Sequence, residues 1–449
     1  MVKSRESFGS SMTAVLAMAG SAIGLGNIWR FPYMVGQNGG AAFIIIYLCC
    51  VVVIALPILL TESLIGRRTQ SNTFGAMERL APGSRWKWLG FLTVFSPLII
   101  LSFYSVVGGW SIDYLLKSVV TGLDADSTAG FAAFTSSAGA PVICHTVFLL
   151  LTALIVMAGV KSGIEKFNDI SLPLLFVLIV AVAAYSLTLP GAGAGVRYLV
   201  KPDFRSISTK TVADAMGQAF FSLSLGVGTI LTYSSYMKKD ANILSSGVGT
   251  AMFDMIFAII AGFAVMPAVF AAGIEPGAGP GLIFESLPFI FVKMGAGAPL
   301  LSRIISVLFF LTIVIAALTS SISMFEVGAA YLVEERGLSR RKAVVAIFAG
   351  TWVLGTLCSL SFGPLSDVHI FGRTIFDFCD ILTSNFLMTF GALLFVLFVG
   401  WKMDRSEVMD EFTNGGVSGI NAGLFGTVYF LIRYIAPLAI LTIFVTSNL

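Results

Sequence analysis

Met18-Ala19-Gly20-Ser21-Ala22-Ile23-Gly24-Leu25-Gly26-Asn27-Ile28-Trp29-Arg30-Phe31-Pro32 lies within an apolar run long enough to cross a bilayer. Three glycines, a serine, an asparagine and an arginine occupy positions where leucines would insert more cheaply. Inside a membrane, backbone that leaves the helix is tolerated only where it is buried in protein or lines a cavity, because hydrocarbon satisfies no N–H or C=O. Gly24 and Gly26 favour unwinding, and an unwound turn presents carbonyl oxygens suited to a hard cation and a positive helix end suited to a carboxylate. A glycine-rich helix packed closely on neighbours would have similar composition. The second stretch of this kind favours a break: Gly217-Gln218-Ala219-Phe220-Phe221-Ser222-Leu223-Ser224-Leu225-Gly226-Val227-Gly228, about 200 residues later. Paired interrupted segments in two halves of one chain point to a transporter site.

The 449 residues are 57% hydrophobic and 11% charged, with a mean hydropathy of +0.93. A soluble domain carries about 25% charged residues, so the chain reads as an all-α polytopic membrane protein. Its net charge of +3 does not indicate nucleic acid, since the basic residues lie in short loops between apolar runs. Five cysteines without C-x-x-C or zinc spacing indicate neither a disulfide framework nor a metal site. No cleavable signal peptide is expected, because the polar Met1 to Phe8 leads directly into a span.

At about 20 apolar residues per crossing, eleven spans are expected: 10–35, 40–66, 88–116, 141–160, 167–189, 213–237, 244–272, 300–333, 342–360, 375–400 and 420–446. With a cytoplasmic N-terminus, 17 of the 27 Lys and Arg fall inside, eight fall outside, and Arg30 and Arg433 lie within spans. The positive-inside rule therefore places the N-terminus in the cytoplasm and Leu449 outside. Residues 1–189 carry five spans, 190–212 form an outer loop, 213–400 carry five more, and 401–449 hold an inner loop and the last span. Five spans per half start the second half on the opposite face, the condition for an inverted repeat. The Gly/Pro-rich Gly273–Pro299 stretch is a cap over the pathway or a plain linker.

Gly24-Leu25-Gly26-Asn27-Ile28-Trp29-Arg30-Phe31-Pro32, Asn38-Gly39-Gly40, Gln218-Ala219-Phe220-Phe221-Ser222-Leu223-Ser224 and Leu318-Thr319-Ser320-Ser321 together resemble the neurotransmitter:sodium symporter family in its bacterial amino-acid branch. The resemblance covers all eleven spans; the twelfth of many relatives is missing. It implies a LeuT-type 5+5 inverted repeat with discontinuous spans 1 and 6, working as a sodium-coupled amino-acid importer by alternating access in a bacterial plasma membrane. It also implies two Na+ sites. One comprises Ala22, Asn27, Ser222, Asp254 and the substrate carboxylate; the other comprises Gly20, Ile23, Ala316, Thr319 and Ser320. Oxygen ligands suit a hard cation, and a substrate acid that serves as ligand couples the two binding events.

Chloride-dependent relatives have an amide at the position of Asp254 and a serine one turn on, where this chain has Ala258. The carboxylate, with Tyr47 and Gln218 nearby, is therefore read as replacing chloride as the counter-charge, unless Asp254 pairs only with a backbone donor. By the same transfer the substrate pocket comprises Ser21, Ala22, Gly24, Gly26, Ile100, Tyr104, Phe221, Ser222, Ser224, Val227, Ser320 and Met324. Tyr104 would bond the carboxylate and Phe221 would close over it. Val227 replaces a bulkier aromatic of some relatives and Met324 adapts in shape, which implies a bulky hydrophobic or aromatic amino acid.

Arg30 and Asp380 resemble an outer gate pair, with Asp377 as the rival acid and snorkelling of Arg30 the alternative. Arg5 and Glu334 resemble an inner pair, with Phe8 as plug beside Tyr236. Glu62 and Glu326 serve either as proton relays or as acceptors for the loose ends of the broken helices. An intramembrane enzyme would need a nucleophile–base set or a metal motif, and a passive channel usually repeats one pore loop among subunits. Neither pattern is present, and His145 and His369 lie near span ends. The lipid bilayer and the amino acid are the expected partners, and the chain indicates no oligomeric state.

Overall fold

The computed structural model describes residues 6–124, 126–273, 283–295 and 297–448. Arg5 and the whole Glu275–Gly281 part of the stretch considered as a cap lie outside them. Every regular element among the described residues is helical.

Among the described residues nine helices are long and apolar enough to cross a membrane: Ala41–Thr69 (span 2), Lys87–Val120 (span 3), Ala140–Met157 (span 4), Val160–Leu187 (span 5), Ile243–Ala271 (span 7), Pro299–Glu334 (span 8), Arg340–Leu360 (span 9), Ile375–Lys402 (span 10) and Ala422–Thr446 (span 11). A tenth is a bent pair, Ser11–Ala22 and Gly26–Gln37, turned by 56° at its break (span 1). The remaining expected span is divided into Thr209–Ser222 and Thr229–Ser234 (span 6), each piece too short to cross alone. The order therefore accommodates eleven spans, with interruptions in spans 1 and 6.

Local chemistry sets both breaks. Ser10 opens span 1 as an N-cap in a capping box with Thr13, and the first half ends when Ile23 turns extended. The second half restarts as a π-helical turn over Gly26–Arg30, with Pro32 tolerated in the first turn of the helix that follows. Ser208 and Thr211 form the matching capping box of span 6, and its unwound turn places Ser224, Gly226 and Gly228 at φ of 53°, 81° and 72°. Gly226 is needed twice: its backbone is left-handed, and a Cβ there would overlap Met388 O of span 10. Gly391 of span 10 faces Gly226 O equally closely, so the two backbones touch through paired glycines.

Outside the spans, Ala192–Val200 lies in the loop after span 5, Ser286–Gly295 in the loop after span 7, and Arg405–Thr413 in the loop after span 10. Arg67 at the end of span 2 is buried and ion-pairs with Glu411 of the Arg405–Thr413 helix at 2.7 Å. Lys239 donates to Arg68 O and Lys238 to Gly9 O. These contacts gather the N-terminus and the ends of spans 2, 6 and 10 on one membrane face, called here the N-terminal face.

Gly226→Ala is expected to destabilise by at least about 1–3 kcal/mol from the left-handed backbone alone. Gly217→Ala, on a helical face where a Cβ meets nothing within 4 Å, is expected to be neutral or stabilising. Melting of the two purified variants in detergent checks the contrast.

Candidate functional site

The two breaks meet at mid-molecule and build two oxygen clusters around one cavity. In the first cluster, Asn27 Nδ2 donates to Asp254 Oδ1 at 2.6 Å and to Ser222 Oγ at 3.2 Å. Ser222 Oγ donates to both Asp254 oxygens at 3.0 and 2.8 Å, and Tyr47 Oη to Oδ2 at 3.3 Å. Gly24 N–H donates to Asn27 Oδ1, and Gln218 Nε2 to Gly26 O at 3.4 Å. Asn27, Ser222, Asp254, Tyr47 and Gln218 are all buried. Spans 1, 2, 6 and 7 thus converge on one carboxylate ringed by neutral groups. Asp254 has side-chain donors, so the alternative of a purely backbone partner does not hold. One negative charge among neutral oxygens matches a hard monovalent cation better than a divalent one.

The second cluster joins spans 1 and 8. Thr319 Oγ1 donates to Ile23 O at 3.2 Å and to Ala316 O at 2.9 Å, and Ser320 Oγ donates to Ser21 O and Ile23 O at 3.2 and 3.3 Å. Gly20 lies just before the break, where a Cβ would overlap Asn168 of span 5. The extended backbone at Ile23 aims its carbonyl at the hydroxyls of span 8.

Between the clusters lies a cavity of about 50 Å³ lined by Ala22, Gly24, Leu25, Gly26, Ile100, Tyr104, Phe221, Ser222, Ser224, Val227, Ser320, Met324 and Met388. Eleven of the twelve substrate candidates are on this wall. The exception is Ser21, whose hydroxyl donates to Ser323 Oγ at 2.8 Å and whose carbonyl accepts from Ser224 and Ser320. Leu25 and Met388 were not anticipated. Leu25 is carried in by the break and donates its N–H to Tyr104 Oη at 3.4 Å, whereas Met388 arrives through the glycine contact of span 10. A Cβ at Gly24 would overlap Ser320 Oγ, so the glycine permits span 8 to close on the break.

Tyr104 and Phe221 separate this cavity from a vestibule of about 400 Å³ that contains Trp29, Arg30, Tyr33, Phe103, Phe376, Asp377, Asp380 and Asn385. Arg30 and Asp380 therefore face one space, yet no ion pair joins them among the described residues. Arg30 lies over the Phe221 ring at 4.6 Å instead of snorkelling away, and Asp380 accepts from Ser384 at 2.9 Å. Asp377 is engaged by Thr374 as a helix cap.

On the N-terminal face the route is shut. Phe8 is 1% exposed, donates its N–H to Tyr236 O at 2.9 Å and meets the Tyr233 and Tyr236 rings edge-on at 6.0 Å. Glu334 accepts from Asn72 N–H and Nδ2 at 2.8 and 3.0 Å; its proposed partner Arg5 is outside the described residues. Glu326 meets side chains rather than the loose backbone of a broken helix: it is clamped by Arg340 at 2.6 Å and by Tyr236 Oη at 2.7 Å. Glu62 does accept from Gly226 N–H, at the loose turn of span 6, at 2.7 Å.

His145 is buried between Ser105 and Trp352 O, and His369 contacts Asp367 O. Among the described residues no group of three or more His, Cys, Asp or Glu could hold a metal.

Residues 5–130 and 135–449 match the sodium:neurotransmitter symporter family. The chain belongs to that family. The symporter is 40% identical over 439 residues to the uncharacterised sodium-dependent transporter YhdH of Bacillus subtilis, covering 97% of this chain and 96% of the relative. It is 34% identical over 461 residues to an uncharacterised sodium-dependent transporter of Haemophilus influenzae, covering 99% and 98%. The crystal structure of MhsT in complex with L-phenylalanine superposes with a TM-score of 0.89 at 40% identity, over 99% of this symporter and 100% of that chain. The symporter therefore has the LeuT-type fold and is a sodium-dependent secondary transporter of the membrane, not an enzyme.

Arg340→Gln would leave the fully buried Glu326 carboxylate without its cation, an omission that costs about 3–5 kcal/mol at buried pairs. The symporter variant is expected to open on the N-terminal face. Faster thiol labelling of a buried Met237→Cys reporter in the Arg340→Gln background than in the wild-type background would show it.

Proposed function

We propose that the symporter takes up a hydrophobic amino acid, bulky or aromatic, together with two sodium ions, entering from the vestibule and leaving past Phe8. The observation that carries this reading is the cavity between the two breaks. Its walls are apolar at Ile100, Val227, Met324 and Met388, and the hydroxyls of Tyr104 and Ser320 come close to Gly24 at the break of span 1. There the positive end of the second half-helix and Tyr104 Oη suit a carboxylate, while the apolar walls suit a side chain without charge. The L-phenylalanine of the MhsT complex belongs to the same chemical class.

One sodium is assigned to Ala22 O, Asn27, Ser222 and Asp254 with the substrate carboxylate. The other is assigned to the carbonyls of Gly20, Ile23 and Ala316 and the hydroxyls of Thr319 and Ser320. Asn27 and Ser222 now direct their donors at Asp254, and a sodium ion would take over that role as their oxygens turn inward. Because the acid of the substrate completes the first shell, each ligand raises the affinity of the other by the same factor. Asp254 supplies permanently the negative charge for which chloride would otherwise be needed.

Arg30 and Asp380 are read as the gate that closes over a bound substrate, and Phe8, Tyr236, Arg5 and Glu334 as the closure on the N-terminal face. Residues 1–189 and 213–400 are read as the two inverted repeats. The distribution of Lys and Arg supports reading the N-terminal face as cytoplasmic, in a bacterial cell, with Leu449 outside.

Proteoliposomes loaded with potassium and given labelled phenylalanine in sodium medium are expected to accumulate it, and to lose accumulation when external sodium is replaced by potassium. Equal uptake in the two media would refute the coupling. Omitting chloride is expected to change nothing in the wild type. Asp254→Asn should fall by at least tenfold in chloride-free sodium medium and recover in part when chloride is restored; undiminished uptake by that variant without chloride would refute the counter-charge role.

A further inference from the structure

Arg433 lies within span 11 and takes no part in the transport site. Its depth is set by span 10: a Cβ at Gly400 would stand 3.0 Å from Arg433 Cα, and Trp401 Nε1 donates to Arg433 O at 3.0 Å. Span 10 ends at Lys402, so Arg433 is level with its last turn, at the N-terminal face. The guanidinium lies 4.5 Å from the Trp401 ring centre and 5.6 Å from that of Tyr434. Both rings are turned outward, 56% and 43% exposed, and the Nε of Arg433 is buried without a hydrogen-bond partner.

Two further cations flank this notch. Lys402 follows Trp401 directly, and Arg405 lies 5.6 Å over the ring of Tyr429, whose hydroxyl donates to Gly400 O at 3.1 Å. Among the described residues no carboxylate forms an ion pair with Lys402, Arg405 or Arg433. Asp404, exposed, is the acid beside them in sequence. The notch thus combines cations lacking a counter-charge, a desolvated donor and outward aromatic rings at interfacial depth.

We propose that the notch between spans 10 and 11 binds the headgroup of an anionic phospholipid. The phosphate rests on Arg433 with Lys402 and Arg405 beside it, and the glycerol and upper acyl chain lie along Trp401 and Tyr434. Basic pockets between spans are suited to such headgroups, and amphipathic rings sit at headgroup level. Arg favours phosphate because its planar fork donates two parallel bonds. Placing this leaflet on the cytoplasmic side rests on the orientation proposed above; the binding itself does not.

The test uses the full-length protein purified in neutral detergent and titrated with phosphatidylglycerol or with phosphatidylcholine of the same chains, retained lipid being counted by native mass spectrometry. Preferential retention of phosphatidylglycerol is expected, weakened about fivefold for each basic side chain removed, in Arg433→Gln and in the double variant Lys402→Gln/Arg405→Gln. Arg433→Lys, which keeps the charge but loses the fork, should fall between the wild type and Arg433→Gln. Equal retention of the two lipids, or undiminished phosphatidylglycerol retention in the glutamine variants, overturns the proposal. So does full displacement by inorganic phosphate, which would assign the notch to a soluble anion. Should Arg433→Gln fail to fold, the double variant on exposed side chains decides. The lipid count does not depend on amino-acid transport, so its failure leaves the proposed function standing, and failure of uptake leaves the lipid count intact.

Discussion

A helix interrupted inside a membrane exposes backbone groups that hydrocarbon cannot satisfy, and this constraint organises the molecule. At span 1 the Ile23 carbonyl is answered by the Thr319 and Ser320 hydroxyls, and Gly24 N–H by Asn27. At span 6 the Gly226 N–H is answered by Glu62. Spans 2 and 8 are therefore held against the breaks by the polar groups the breaks release. The same groups form mid-membrane surroundings polar enough for an ion and an acid.

This dependence explains how the charges are arranged. Asp254 is buried yet supported by Asn27, Ser222 and Tyr47. Glu326 is neutralised by Arg340, and Arg67 by Glu411. The buried pairs at the N-terminal face connect separate elements, Glu326–Arg340 joining spans 8 and 9 and Arg67–Glu411 joining span 2 to the Arg405–Thr413 helix. Arg30 and Asp380, in contrast, face open space on the opposite side. One side is locked by direct contacts while the other is only poised, an asymmetry suited to a molecule that opens one face at a time.

Much of this was legible because the pattern that creates the breaks is local. Gly24, Gly26, Gly226 and Gly228 mark the unwound turns, and the polar residues beside them mark what those turns recruit. Resemblance then indicated which distant residues answer, among them Asp254, Thr319 and Ser320. Contacts set by helix crossing were not legible. Met388 reaches the cavity only because Gly226 and Gly391 let two backbones touch, and an apolar run around Met388 looks like any other span. The partner of Glu326 was not legible because its cation, Arg340, starts the next helix and is folded back by a turn that carries no signature of the pairing. The second piece of span 6 proved shorter than hydropathy implied, since Ser235 to Lys239 leaves the helix while remaining apolar at Tyr236 and Met237.

The paired glycines also have a mechanical meaning. With no side chain between Gly226 and Gly391, the unwound turn of span 6 bears directly on the main chain of span 10, and a backbone contact transmits displacement with less give than interleaved side chains. Span 10 carries Met388 on the cavity wall and Asp380 in the vestibule, about two helical turns apart with the π-helical turn Leu382–Leu387 between them. A tilt of span 6 would therefore load span 10 beside the cavity, and that wider turn is the joint through which the load would reach the acid in the vestibule.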